Sequence, residues 1–209
     1  MYKVKEIYYT IQGEGYHTGR PAVFVRFSGC NLWSGREEDR DKAICKFCDT
    51  DFWGTDGERG GKYTAEQLSA IVYDLWPTDM VQHPFIVCTG GEPGLQLDQA
   101  LVDFLHDANI QIAIETNGTV ELANDIDWIC VSPKADSKII ITYGNELKLV
   151  YPQLENDPEQ YSHLDFEHYY LQPLDDESQA EHISKCVEYC MRYPQWKLSL
   201  QTHKFIGID

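Results

Sequence analysis

Short apolar runs, each followed by a cluster of polar residues or glycines, recur along most of this 209-residue chain. The runs are rich in β-branched and aromatic residues, which is typical of buried strands. They cover residues 22–27, 85–88, 110–114, 128–131, 146–150, 169–171 and 197–200. Helical patterns lie between several of them, at 65–76, 97–108 and 180–192. Strands that alternate with helices predict parallel β/α units.

The segments that follow these strands carry residue types suited to chemistry. They are Ser28-Gly29-Cys30, Thr89-Gly90-Gly91-Glu92-Pro93, Glu115-Thr116-Asn117-Gly118, Ser132-Pro133-Lys134, Gln172-Pro173-Leu174 and Gln201-Thr202-His203-Lys204. In parallel barrels the carboxyl ends of the strands meet at one mouth, where active sites lie. Because three helices are too few for an eight-fold barrel, we expect a shortened, partly open parallel β/α barrel.

The chain has no linker rich in glycine, proline and serine, so we expect a single domain over residues 1–209. Acidic residues outnumber basic ones 34 to 17, for a net charge of −17. This charge argues against nucleic acid as a partner, because such proteins neutralise phosphates with lysine and arginine. No run approaches the roughly 20 apolar residues that span a bilayer, and the N-terminus is polar. We therefore expect a cytoplasmic protein that acts on a small molecule, with no membrane partner.

The seven cysteines fall into groups with different roles. Cys88 and Cys130 lie in apolar runs and are expected in the core. Cys186 and Cys190 share one helical face, and core packing is favoured over metal binding because nothing nearby completes a site. This leaves Cys30, Cys45 and Cys48 as candidate ligands.

Cys45 and Cys48 form a C-x2-C pair, which occurs in zinc sites, in thiol redox motifs and in iron–sulfur sites. The acidic segment after Cys48 disfavours a redox pair, because acidic neighbours raise thiol pKa values. Structural zinc needs four ligands, and Cys30 is an evident third with no evident fourth. Spacing alone leaves zinc and a cubane cluster with one open iron about equally favoured.

The cluster motif of the radical S-adenosylmethionine superfamily resembles the set formed here by Cys30, Cys45, Phe47 and Cys48. In that superfamily the motif directly follows the first barrel strand, as Cys30 follows the strand at residues 22–27. Thr89-Gly90-Gly91-Glu92-Pro93 is similar to the superfamily's second motif, whose glycines bring backbone close to the methionine moiety. This chain departs from the usual motif in one respect, because fourteen residues separate Cys30 from Cys45. We interpret residues 31–44 as an inserted, highly charged loop.

Ordered segments along the whole chain closely resemble the 7-carboxy-7-deazaguanine synthase family. They begin with Ile7-Tyr8-Tyr9-Thr10-Ile11-Gln12-Gly13-Glu14-Gly15 and end with Leu200-Gln201-Thr202-His203-Lys204. The resemblance implies conversion of 6-carboxy-5,6,7,8-tetrahydropterin to 7-carboxy-7-deazaguanine with loss of ammonia, for deazapurine and queuosine synthesis. It also implies a 4Fe-4S cluster, S-adenosylmethionine, Mg2+, a homodimer and a flavodoxin- or ferredoxin-like electron donor.

The resemblance also implies roles for individual residues. The cluster ligands are Cys30, Cys45 and Cys48, and Thr50 is the direct Mg2+ ligand. The residues expected at the pterin are Ile11, Gln12, Gly13, Glu14, Arg26, Thr89, His203 and Asp209. The residues expected at S-adenosylmethionine are Phe47, Cys48, Asp49, Gly91, Glu92, Ser132, Pro133, Lys134, Gln172, Pro173, Leu174 and Asp175.

Two of these assignments have alternatives. Arg26 is suited to grip the substrate carboxylate bidentately, but a buried ion pair at a barrel end is the competing interpretation. Glu14 is either a substrate ligand or the structural partner of Arg26. Two further functions also remain open, namely a radical activase that acts on a partner protein and a non-catalytic zinc-binding module.

Overall fold

The computed structural model describes residues 1–77 and 82–208. Its strands are β1 (Tyr2–Ile11), β2 (Pro21–Phe27), β3 (Gly61–Tyr63), β4 (Phe85–Gly90), β5 (Gln111–Thr116), β6 (Trp128–Val131), β7 (Tyr143–Tyr151), β8 (Asp165–Pro173) and β9 (Trp196–Leu198). Its α-helices are α1 (Ala65–Leu75), α2 (Gln99–Asp107), α3 (Gln179–Arg192) and α4 (Thr202–Ile206). Each predicted strand and helix is present, with boundaries displaced by a few residues.

The nine strands form one open sheet in the order β3-β1-β2-β4-β5-β6-β7-β8-β9. From β2 to β9 all neighbours are parallel, so their carboxyl ends lie along one edge of the sheet. In the described chain β3 and β9 form the two outer edges. The prediction of a partly open parallel β/α barrel is therefore confirmed.

The two strands that the sequence did not predict, β1 and β3, are antiparallel additions at one edge. Strand β1 lacks a regular apolar alternation, because its fully buried residues are confined to Val4 and Ile7. Its other positions are polar or aromatic, and several face a polar cavity rather than an apolar core. This is why its sequence reads as a polar segment.

The apolar core lies between the sheet and its helices. One cluster joins β1, β2, β4 and β5 to α1 and α2, and a second joins β7 and β8 to α3. Cys88, Cys130 and Cys186 are each at most 1% exposed, and Cys190 packs against the second cluster. The expected core roles of Cys88, Cys186 and Cys190 are thus confirmed, whereas Cys130 is equally buried but lies beside the charged side chains of Glu115 and Glu146.

The first residues of α1 carry the capping box that the sequence predicts. The Thr64 hydroxyl accepts a hydrogen bond from the Gln67 backbone, and the Gln67 side chain accepts one from the Thr64 backbone. No helix in the described part of the chain is long and apolar enough to cross a membrane.

The inner face of the sheet is polar in its middle strands. The parallel register aligns Glu115 of β5, Cys130 of β6, Glu146 of β7 and His168 of β8 in one row. Buried carboxylates on parallel strands are uncommon, because such strands are usually apolar on both faces. This row marks the interior of the barrel as a polar site.

Replacing Leu101 with alanine should lower the free energy of unfolding by about 2–5 kcal/mol, because it leaves a cavity under α2. Leu101 is 0% exposed within the larger core cluster. Asp107, on the exposed side of the same helix, is a matched control, and Asp107→Ala should change stability by no more than about 0.5 kcal/mol. Urea unfolding measures both, and equal effects would contradict this description of the core.

Candidate active site

A cavity of about 460 Å³ opens at the carboxyl ends of the parallel strands. It is lined by residues from β1, β2, β4, β5, β7 and β8, from the segments that follow β6 and the insert, and from α4. Eighteen predicted site residues line it, namely Ile11, Gln12, Gly13, Glu14, Arg26, Cys45, Phe47, Cys48, Asp49, Thr50, Thr89, Gly91, Ser132, Lys134, Pro173, Leu174, Asp175 and His203. Segments far apart in sequence therefore meet at one place.

The three candidate cluster ligands lie close enough to influence one another. The Cys45 thiol donates a hydrogen bond to Cys48 and lowers the Cys48 pKa to about 6. The same hydrogen bond raises the pKa of Cys45. Burial raises the pKa of Cys30, and the charge of Cys48 raises it further. All three cysteines are free of disulfides.

This donor set fits an iron–sulfur cluster. Cys30 and Cys48 border a small apolar cluster of Trp33, Ala43 and Phe52, which shields one side of the thiols from water. Within the described ranges, no three His, Cys, Asp or Glu side chains converge on a single ion position. A cubane cluster distributes its thiolates over separate irons.

The glycine turn after β4 packs directly on the loop that carries Cys30. A Cβ atom on Gly91 would lie 2.3 Å from the Gly29 carbonyl oxygen and 2.8 Å from the Cys30 Cβ. Glycine is therefore the residue that allows this approach. The contact brings the second predicted motif against the first cysteine.

Glu92 lies behind the cavity wall and is 0% exposed. Its carboxylate accepts hydrogen bonds from the Thr116 hydroxyl at 2.7 Å and from the backbone of Asn117 at 2.7 Å and Gly94 at 2.8 Å. Burial raises its pKa, which these donors counteract. Glu92 thus ties the end of β4 to the end of β5.

Three other predicted site residues are also absent from the cavity lining, namely Cys30, Pro133 and Gln172. The Gln172 side chain is buried and accepts a hydrogen bond from the Ser199 hydroxyl at 3.2 Å. Ser199 in turn accepts one from the backbone of Gly15 at 2.9 Å. Gln172 therefore supports the loop after β1. Asp209 lies outside the described residues.

Arg26 points into the cavity region but already has partners. Its Nε donates to Glu6 Oε1 at 2.7 Å and its Nη2 donates to the Tyr8 hydroxyl at 3.1 Å. The alternative that Glu14 pairs with Arg26 is wrong, because Glu14 contacts a different cation. Glu6 and Tyr8 line the same cavity, so Arg26 is held in place beside it.

Lys148 is the buried cation that sequence reasoning did not assign to the site. Its side chain is 5% exposed, and its Nζ lies 2.8 Å from Glu14 Oε2 and 2.9 Å from Glu115 Oε2. Burial disfavours the charged form of Glu14, yet Lys148 holds the pKa of Glu14 down at about 2. The sequence feature that could have identified Lys148 is its position two residues after Glu146 in an apolar strand. Side chains two residues apart in a strand lie on the same face, so the two charged groups are expected side by side.

Glu146 is the third carboxyl near Lys148 and differs from the other two. It is 2% exposed, and burial raises its pKa to about 7, with the charge of Glu115 adding to the rise and Lys148 opposing it. Its Oε2 accepts a hydrogen bond from the Tyr16 backbone at 3.2 Å. A Cβ on Gly15 would lie 1.9 Å from its Oε1, so Glu146 presses against the loop after β1.

Helix α4 closes the opposite side of the cavity. Lys204 Nζ lies 3.1 Å from Asp49 Oδ2 and also pairs with Asp175. A Cβ on Gly13 would lie 2.1 Å from the Nδ1 atom of His203, and the Thr202 hydroxyl donates to the Gly13 carbonyl at 2.8 Å. The helix is thereby anchored to both sides of the mouth.

Another wall of the cavity is formed by the residues that follow β6 and by the end of β8. Lys134 donates to the Ser132 hydroxyl at 2.6 Å, and its Nζ lies 5.9 Å from the centre of the Phe47 ring. An aromatic face and a nearby cation suit a planar, charged ligand.

Glu146→Gln should reduce the pH dependence of stability. Between about pH 4.5 and 7 the folded chain keeps a proton on Glu146 that the unfolded chain releases, so the wild-type free energy of unfolding falls as pH rises. From pH 5.5 to 8 the wild type should lose about 2 kcal/mol relative to the variant. Urea unfolding at both pH values measures this. The exposed control Glu121→Gln should show the same change in the free energy of unfolding between these pH values as the wild type. If Glu146→Gln also showed the wild-type change, the raised pKa of Glu146 would be refuted.

No protein-family model matches the chain. It is 58% identical over 208 residues to the 7-carboxy-7-deazaguanine synthase of Burkholderia multivorans and 57% identical over 208 residues to that of Caulobacter vibrioides, each time over 99% of both chains. The crystal structure of QueE from Escherichia coli superposes with a TM-score of 0.74 at 27% identity, covering 95% of this chain and 93% of that one. The chain belongs to the 7-carboxy-7-deazaguanine synthase family.

Proposed function

We propose that this chain converts 6-carboxy-5,6,7,8-tetrahydropterin to 7-carboxy-7-deazaguanine with loss of ammonia. The observation that carries the proposal is that Cys45, Cys48, the Gly90-Gly91 turn and the Gln12–Glu14 segment line one cavity, while Cys30 packs against Gly91. A pocket of a few hundred Å³ suits small molecules, which favours a pterin over a partner protein as substrate.

In this proposal Cys30, Cys45 and Cys48 hold a 4Fe-4S cluster. When bound, the cluster supplies the electron that cleaves S-adenosylmethionine to start the reaction. The chain's own residues bind, orient and shield the reactants. Phe47, Ser132, Lys134 and the backbone at Gly91 are proposed to contact S-adenosylmethionine, as are Asp49, Pro173, Leu174 and Asp175.

The pterin is proposed to lie between β1, β5 and β7. Its ring edge offers amino and amide donors, which suit Gln12 and the acceptor carboxylates Glu14 and Glu115. Lys148 helps to hold the pKa of Glu14 at about 2, and its ammonium group lies within 3 Å of both carboxylates. The backbone of Ile11 and Gly13, together with Thr89 and His203, completes this wall.

Arg26 is proposed to bind the substrate carboxylate. Its Nε and Nη2 hydrogen bonds to Glu6 and Tyr8 fix the plane of the guanidinium, and a fixed guanidinium binds a carboxylate with little loss of entropy. Asp209 is proposed to approach the substrate from the C-terminal segment, on the family resemblance alone.

A homodimer, a flavodoxin- or ferredoxin-like electron donor and an insert at residues 31–44 are proposed from the family resemblance. A cytoplasmic location and a single domain over residues 1–209 are proposed from the sequence, which has no long apolar run and no linker rich in glycine, proline and serine. Contacts of Glu92, Pro133 and Gln172 with the cofactor remain predictions. Their places outside the cavity lining favour supporting roles.

Anaerobic reconstitution followed by turnover with the carboxy-tetrahydropterin tests the function. The wild type should bind about four irons per chain and form the ring-contracted product, detected by mass spectrometry. Cys48→Ser should lose the cluster and turnover. Cys190→Ser in α3 should keep both, because this cysteine lies away from the cavity. A reconstituted wild type without the product, or a colourless protein that retains zinc, would refute the proposal.

Mg2+ is proposed to bind at Thr50, with Asp49 holding coordinated water. Both oxygens face the cavity, and Mg2+ takes few protein oxygens and keeps several waters. Thr50→Val should raise the Mg2+ concentration for half-maximal turnover by about tenfold. Asp51→Asn is the control, because Asp51 pairs with Lys5 at 2.8 Å. An unchanged Mg2+ requirement in Thr50→Val would rule out this ligand.

A further inference from the structure

The insert between Cys30 and Cys45 is anchored inward rather than left in solvent. Its Trp33 is 7% exposed and its Ala43 is 9% exposed, and both pack with Phe52 beside the cysteines. At its base, the backbone amides of Ile44 and Cys45 donate to the Leu32 carbonyl at 3.0 and 3.4 Å. The insert therefore returns to its starting point and places its middle over the C-x2-C segment.

Arg40, in the short 3-10 turn Glu37–Lys42, joins the insert to that segment. Its Nη1 donates to the Lys46 carbonyl at 2.9 Å and to the Cys48 carbonyl at 3.1 Å. These carbonyls belong to the residues on either side of Phe47, so one guanidinium spans the loop between the two cysteines.

The guanidinium is itself held on two further sides. Its Nε lies 2.7 and 2.8 Å from the two Glu37 carboxylate oxygens. Its Cζ lies 4.1 Å from the centre of the Trp33 ring. The stack on Trp33 and the bifurcated hydrogen bond from Nε to Glu37 fix the orientation of the guanidinium, which a flexible ammonium group would not achieve.

We propose that Arg40 is a positioning residue for the iron–sulfur cluster, which clamps the Lys46 and Cys48 carbonyls and so fixes the loop that presents Cys45 and Cys48. The inference rests on the proposed function. Cluster properties depend on hydrogen bonding and local charge, and Arg40 supplies both without contacting the cavity itself.

Arg36 offers a matched comparison within the same insert. Its side chain is 51% exposed, stacks on Trp53 at 4.3 Å and lies 3.8 Å from Glu38. The corresponding exposure of Arg40 is 27%. Removing the Arg36 side chain takes away one positive charge from the insert, as removing Arg40 does, but leaves the Lys46 and Cys48 carbonyl contacts in place.

The experiment compares the reconstituted wild type with Arg40→Ala, Arg40→Lys and Arg36→Ala. Iron and sulfide per chain, the rate of iron loss to a chelator, and the electron paramagnetic resonance spectrum of the reduced cluster are measured anaerobically. Arg40→Ala should lose iron about tenfold faster, since two hydrogen bonds from a charged donor are removed, and its spectrum should change. Arg40→Lys should lose iron at a rate between those of the wild type and Arg40→Ala. Arg36→Ala should match the wild type in both the rate of iron loss and the spectrum.

Equal iron loss and an unchanged spectrum in Arg40→Ala would overturn the inference, and so would equal effects of Arg40→Ala and Arg36→Ala. If Arg40→Ala does not fold, as judged by circular dichroism of the cluster-free chains, Arg40→Lys gives the same comparison with the charge retained. A wild type that binds no iron would reject the proposed function and this inference together. A wild type that binds iron while all variants behave alike would reject this inference alone.

Discussion

The ammonium group of Lys148 is the charge around which the interior of this barrel is organised. A buried cation is costly unless it is paired and hydrogen-bonded, and two carboxylates from different segments meet this need, Glu14 and Glu115. Glu14 follows β1 and Glu115 lies on β5, so the ion pairs hold the segment after the first strand against the middle of the sheet. Burial raises the pKa of the third carboxyl, Glu146, to about 7, although the charge of Lys148 opposes the rise.

A different constraint shapes the end of the cavity that carries the cysteines. There the backbone of the turn after β4 approaches the loop after β2 so closely that a side chain at Gly91 would overlap it. Glu92 fixes the same turn from behind through its hydrogen bonds to β5 and the residues after it. The two ends of the cavity are thus built by different means. Buried charge organises the end at Lys148, and the absence of a side chain allows the close approach at Gly91.

The sequence predicts the parallel strands well because apolar, β-branched runs carry their own signal. It predicts much of the cavity wall too, because parallel strands place their carboxyl ends along one edge. It does not reveal β1, whose polar inner face hides its strand character. It also does not identify Lys148, since the partners that make a buried lysine tolerable, Glu115 and Glu14, lie 33 and 134 positions earlier in the chain. Arg40 was likewise hidden in a charged segment that reads as a solvated loop.

The anchoring of Gly13 by Thr202 and of Gly15 by Ser199 has a consequence for how the molecule folds. These contacts join residues 189 and 184 positions apart, nearly the length of the chain. Contacts of such high sequence separation form late, because loop-closure entropy must be met before they contribute. On the ribosome, the segment after β1 waits for almost the whole chain to emerge before it meets these partners. The cavity is therefore completed by residues 199–202, although the candidate cluster cysteines and the glycine turn lie in the first half of the sequence.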